Sequence, residues 1–201
     1  MEPFRKLVAV AVPFDQDNVD TDQIIPARFL KYPRSGGYGQ FLFHDQRRAE
    51  DGGPRPGFVL DRPDYKDARI LVTGENFGCG SSREGAVYAL YDCGFRCVIG
   101  PSFGPIFHNN CFKNGVLPVV LPHDTVKAIT TTLERHPGTV LTVDLERNVV
   151  AVDGQEIAFK VDAFWREALL RGVDEIGLTQ SYGEQIAAFE REYHRQFDWL
   201  T

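Results

Sequence analysis

Apolar residues fall in short runs along this 201-residue chain, and the spacing of the runs changes once. LVAVAV (7–12) is a continuous apolar run and predicts a buried first strand. ARILVT (68–73), FRCVIG (95–100) and VLPVVL (116–121) repeat that character. Between and after them, 83–93, 103–115 and 123–136 read as helices. Strands alternating with helices predict a parallel βαβ core. After His136 the runs crowd together as TVLTVDL (139–145), NVVAVD (148–153) and EIAFK (156–160). Asp153-Gly154 between the last two is a hairpin signal. A meander added to a βαβ core predicts an α/β fold with a mixed sheet or a partly closed barrel. Two helices are expected to finish the chain, at 162–171 and 182–197. The second places Ile186, Phe189, Tyr193 and Phe197 on one face, a stripe expected to serve packing.

Two stretches escape this periodicity. DQDNVDTDQIIPARFL (15–30) is an acidic turn followed by a short apolar element broken at Pro26. Residues 32–57 hold two Gly/Pro-rich tracts around the aromatic patch QFLFHD, and read as a long irregular excursion. Loops of that length in compact domains are often lids or binding loops. The expected organisation is one domain over 1–201, with the excursion at 32–57 and a helical C-terminal extension at 162–201.

Chemistry concentrates in GENFGCGSSREGA (74–86), between a predicted strand and a predicted helix. One reading is a capping box, S-x-x-E, in which Ser81 caps the helix and Glu84 reaches back to it. The other uses the helix start itself, whose unpaired N–H groups attract anions and favour a serine alkoxide. Arg83 adds a planar fork suited to a carboxylate or phosphate. No Gly-Lys-Ser/Thr follows the glycines, G-x-G-x-x-G is incomplete at position 83, and G-x-S-x-G is absent. An anionic site for a small carboxylic acid fits best. Asp20-Thr21-Asp22 is the second concentration, readable as a turn with a helix cap or as an acid that orients Arg83 or Ser81.

Composition narrows the partners. A net charge of -6 gives no basic surface for nucleic acid. The first twenty residues do not form a signal peptide and no run is long enough for a membrane span, so the expected compartment is the cytoplasm. Cys79, Cys93, Cys97 and Cys111 show no C-x-x-C spacing. Burial as free thiols is the simpler reading, with a self-contained iron–sulfur protein as the alternative that iron bound by the isolated chain would support. The five histidines are scattered, and none is assigned as a ligand or base.

Three motifs then converge. NVDTDQIIPARFLK (18–31), GENFGCGSSRE (74–84) and GFRCVIGPSFGPIFHNNCFKNGVLPV (94–119), in this order, resemble the small subunits of 3-isopropylmalate dehydratase, the swivelling-domain chains of the aconitase superfamily. The likeness runs from about Val8 to 174–179. It implies a swivelling β/β/α domain with a partly barrel-like sheet and flanking helices. It also implies a two-chain hydro-lyase whose large subunit holds a [4Fe–4S] cluster on its own cysteines, with none bound by this chain. The implied reaction moves a hydroxyl between neighbouring carbons of 2- and 3-isopropylmalate in leucine biosynthesis. By the motif, Ser81 is the catalytic base, Arg83 binds a substrate carboxylate and Asp22 is a supporting active-site acid. Ser82 and Asn76 in the same motif are candidates for substrate binding.

The chain departs from the family at Gly85-Ala86, where SSRE is usually followed by His-Ala. A glycine in a first helical turn costs about 1 kcal/mol relative to alanine. It also leaves open a paralogous small subunit acting on another alkyl- or methyl-malate. A non-catalytic anion-binding module that kept the fold is the alternative from another class. The isolated chain can also be expected to self-associate through the face meant for the large subunit.

Overall fold

The structure is a computed structural model that describes residues 1–49, 51–81, 83–197 and 199. Its centre is a seven-stranded mixed sheet. The strands are β1 (Lys6–Phe14), β2 (Ile70–Thr73), β3 (Cys97–Gly100), β4 (Leu117–Val120), β5 (Val140–Asp144), β6 (Val149–Val152) and β7 (Gln155–Ala158). They lie in the order β4-β3-β2-β1-β5-β6-β7. The first four pair in parallel, and β1–β5, β5–β6 and β6–β7 pair antiparallel. The α/β class and the mixed, partly curled sheet expected from the apolar runs are the ones observed.

The helices are α1 (Thr21–Ile24), α2 (His44–Arg47), α3 (Glu84–Asp92), α4 (Pro105–Lys113), α5 (His123–Arg135), α6 (Ala163–Arg171), α7 (Glu175–Gln180) and α8 (Gly183–Gln196). A 3-10 turn at Ala27–Phe29 precedes the excursion, which itself breaks into single 3-10 turns at Arg34–Gly36 and Gly39–Phe41 ahead of α2. Every residue of β2 and β3 is buried, as parallel strands covered on both faces must be. Alternation divides them between two cores. Ile70, Val72, Cys97 and Ile99 face α5 and the meander, whereas Leu71 and Val98 face α1, α3 and the excursion. The meander turns at Asp153-Gly154 with both φ angles positive, 48° and 78°. Two successive positive φ values are what the tightest hairpin turn needs.

The α8 stripe does not do what its spacing predicts. No residue of α8 is buried, and Phe189 keeps 67% of its surface. Phe189 stacks on Tyr193 and Tyr193 lies tilted against Phe197, and none of the three enters a core. Periodicity identifies an amphipathic helix, but among the described residues no second layer covers it.

Candidate active site

The parallel strands β1, β2 and β3 end at the same edge of the sheet, and the segments that leave them are laced together. Gly78 N–H donates to Val19 O (2.7 Å) and Thr21 N–H to Cys79 O (3.1 Å), so the loop after β2 runs as a short ladder beside the loop after β1. On its other side Phe77 N–H donates to Ser102 O and Gly104 N–H to Phe77 O, at 3.2 and 2.9 Å. Carboxyl ends of parallel strands are where α/β sheets commonly bind ligands.

The lacing is close enough to require glycine. A Cβ on Gly74 would lie 2.6 Å from Gln16 O, and one on Gly78 would enter the Phe107 ring. Phe77 stays fully buried beneath, edge-on to Phe14 and Phe107. The loop surface is thereby fixed from below, and between 76–80 and 104–107 it borders a hollow of ≈ 230 Å³.

Ser81, Arg83 and Asp22 are brought together. Buried Thr21 donates its hydroxyl to Ser81 O at 2.6 Å, which pins the backbone of Ser81 while its residue stays exposed. Arg83 stands at the cap position of α3 in extended backbone, φ -140° and ψ 108°. Its half-buried side chain forms an ion pair with Asp22, whose other anchor is the Ala27 amide at 2.9 Å. The Arg83 guanidinium holds the Asp22 carboxyl below the usual carboxylate range, against some desolvation and with help from Ala27 N–H. Apart from that ion pair, Arg83 Nη1 is buried without a hydrogen-bond partner among the described residues.

The capping box expected at Ser81 is not formed. Glu84 is the first helical residue, no side chain among the described residues caps α3, and the Glu84 carboxylate accepts from Asn114 Nδ2 at 2.8 Å. With the Ser81 carbonyl tied to Thr21 and Arg83 extended, the helix begins too late for Ser81 to cap it. The capping box of this region lies at Asp20 and Gln23, each side chain bonded to the other's amide. The reading of Asp20-Thr21-Asp22 as a helix cap therefore holds, and Asp22 meets Arg83 as well.

Asn76 lies elsewhere on the loop. Its backbone is left-handed, its Nδ2 donates to Asn18 Oδ1 at 2.8 Å, and its amide donates to Ser102 Oγ at 2.9 Å. No hydrogen bond joins it to Ser81 or Arg83 among the described residues, so its evident work is to clasp two loops. Ser82 lies outside the described residues. Thr21 and Asn18 are the positioning groups that motif reasoning passed over. Their signal was there, since both stand inside the NVDTD stretch.

The cysteines do not gather. Cys97 and Cys111 are buried, and burial pushes both thiols up, whereas Cys79 is half-buried and Cys93 exposed. Among the described residues no three His, Cys, Asp or Glu side chains converge as metal ligands. Among the described residues the four cysteines stand apart and form no joint ligand set.

A family model for the Aconitase C-terminal domain matches residues 1–124, and a second, LeuD_N, matches 128–163. The chain is 49% identical over 201 residues to the 3-isopropylmalate dehydratase small subunit of Parvibaculum lavamentivorans, covering all of both chains. It is 50% identical to that of Bacillus licheniformis, covering 100% of this chain and 99% of the relative. The chain belongs to the family of 3-isopropylmalate dehydratase small subunits. A crystal structure of 3-isopropylmalate dehydratase (leuD) from Methanocaldococcus jannaschii superposes with TM-score 0.66 at 28% identity, over 91% of this chain and 99% of that one. The small-subunit family thus accounts for the mixed sheet. Among the described residues no helix is long and apolar enough to cross a membrane.

Proposed function

We propose that this chain works in the cytoplasm with a large subunit as a hydro-lyase of leucine biosynthesis, interconverting 2- and 3-isopropylmalate by dehydration and rehydration. The observation that carries the reading is the Arg83–Asp22 ion pair beside the pinned Ser81 backbone, at the start of helix α3. The family membership points the same way.

Ser81 is the base. Its oxygen takes the proton from the carbon next to a substrate carboxylate, and the electron pair left behind forms the double bond as hydroxide leaves the neighbouring carbon. A serine hydroxyl is a weak base at neutral pH, so its alkoxide needs fixed donors and a nearby cation. The amides at the start of α3 and the Arg83 guanidinium are those groups. Arg83 receives a substrate carboxylate as a planar fork, and Asp22 aims it. Ser82 and Asn76 are assigned to substrate binding, Asn76 through the oxygen that its bond to Asn18 leaves free. A [4Fe–4S] cluster on the large subunit, when bound, supplies Lewis acidity toward the departing hydroxyl.

The test is an anaerobic assay of this chain with the large subunit that co-purifies from its own cells, on 2-isopropylmalate. Turnover that needs both chains supports the reading. A cluster-bearing pair without turnover moves the substrate to another alkyl- or methyl-malate, a reading that the occupied space at Gly85 keeps in view.

A further inference from the structure

The antiparallel half of the sheet is apolar on both faces but covered on one. A sheet face left to water alternates apolar with polar, whereas LVAVAV, TVLTVDL and NVVAVD carry apolar residues at both parities. One parity is accounted for, since Leu7, Ala9, Leu141, Val143, Val150 and Val152 share a core with α5. The other parity lies on the opposite face. The register puts Val8 beside Thr142, Thr142 beside Ala151, and Val10 beside Val140, with Val149 one row on. Over β2 and β3 that face is covered by α1, α3 and the excursion, and the cover ends at half-buried Val10. Beyond it Val8 keeps 60% of its surface and Val140 51%. Contiguous exposed apolar surface of this kind marks a contact site.

The chain also holds a helix without a layer. α8 presents Ile186, Phe189 and Tyr193, with Phe197 just after it, and none of its residues is buried. An apolar sheet face and an apolar helix stripe are the two halves of one α/β layer. Their charges match as well. Lys6 stands exposed at the end of the bare face. Its neighbours Arg5 and Arg147 pair with Glu146 and Glu156, and Asp144 opposite it accepts from the Arg147 amide at 2.9 Å. Lys6 itself forms no ion pair among the described residues. On α8, Glu190 lies one turn after Ile186 and one turn before Tyr193, at the edge of the stripe. Glu192 pairs with Arg195, whereas Glu190 has no such partner among the described residues.

We propose that α8 of one copy of this chain lies on the bare sheet face of a second copy, with Glu190 against Lys6, and that a twofold axis makes the exchange reciprocal. Each copy carries one uncovered face of each kind, so two copies close the set and a third finds no seat. The inference does not depend on the alkylmalate reading. Val8 stands near the start of β1, about 20 Å along the strand from Phe14, so the sheet side of the contact is remote from Ser81 and Arg83.

The test is sedimentation of the full-length chain, alone and assembled with the large subunit, over a dilution series. The chain alone is expected to sediment as a pair, and the assembled enzyme with two of each subunit. Val8→Glu and Phe189→Glu should each weaken the pair on the order of 30-fold or more, as loss of a central apolar contact does. Lys6→Glu and Glu190→Lys should each weaken it on the order of 10-fold. Together they exchange the signs and should restore it to within a few-fold. The reversals change exposed side chains, so they report on the contact even where Val8→Glu disturbs β1, and urea unfolding checks each fold. Turnover of the assembled variants should match wild type. A chain that stays single at every concentration would overturn the pairing. Amide exchange of 140–151 would then show whether its own α8 or the large subunit takes the face. Loss of the pair with Phe189→Glu but not with Val8→Glu would mean that two α8 stripes meet each other, and would overturn the sheet as their seat. Reversals that add instead of cancelling would overturn the Lys6–Glu190 contact.

Discussion

Two glycine turns in this chain do opposite work. At the tip of the β6–β7 hairpin, Gly154 has a φ of 78° and nothing within 4 Å of where its Cβ would stand. In the loop after β2, Gly78 has nearly the same φ, 73°, but its missing Cβ is the space of the Phe107 ring. The hairpin glycine answers to its own backbone. The loop glycine answers to two other segments, after β1 and after β3, that press on it from either side. The first kind of turn closes a sheet, and the second kind builds a surface on which Ser81 and Arg83 can be held.

The contrast can be broken by substitution. Gly78→Ala should cost about 2–5 kcal/mol, the sum of a left-handed alanine and an overpacked contact, read by urea unfolding. Gly154→Ala should cost only about 1–2 kcal/mol, since only the backbone term applies. Equal costs would mean that the loop is not clamped. Thr21→Val keeps the shape of a buried side chain and removes its bond to the Ser81 carbonyl. It should cost about 1 kcal/mol of stability while turnover of the assembled enzyme falls much further.

The pH dependence of Asp22 sharpens the same point by a smaller margin. Arg83 holds its folded carboxyl below the unfolded value, so the stabilisation is fully present above the unfolded pKa. It is lost as pH falls through the folded value. Wild type should therefore lose stability faster than Asp22→Asn as pH falls from above the ordinary carboxylate range through the lowered folded value. Parallel curves would mean that the pair contributes nothing to folding.

What was legible follows from the same division between local and tertiary causes. The strands could be read because β2 and β3 are buried on both faces, which leaves unbroken apolar runs. The hairpin could be read because Asp153-Gly154 satisfies a backbone demand with no outside partner. The capping box could not, because two nearby stretches both fit the pattern. Asp20 and Gln23 form it, and Ser81 is held off by a hydroxyl from another segment. The α8 stripe shows the converse limit, since spacing shows which face is apolar and not what covers it. For Gly85 a helix-propensity argument counted a cost, whereas the structure shows the space to be occupied by Leu30. The meeting of Asp22 with Arg83 was open in the residues themselves as a conditional, because only the ladder between the loops after β1 and β2 joins them.

The central claim is that Ser81 is held for chemistry and not for capping. The most direct measurement is Ser81→Ala in the assembled two-chain enzyme, with turnover and thermal unfolding recorded on the same preparation. Removing preorganised groups of this kind costs on the order of 100- to 1000-fold in rate, and loss of the base itself should cost at least that. Stability should stay within about 0.5 kcal/mol, as for a surface substitution away from any cap. Near-normal turnover, or a loss of about 1 kcal/mol typical of a removed cap with activity retained, would contradict the account.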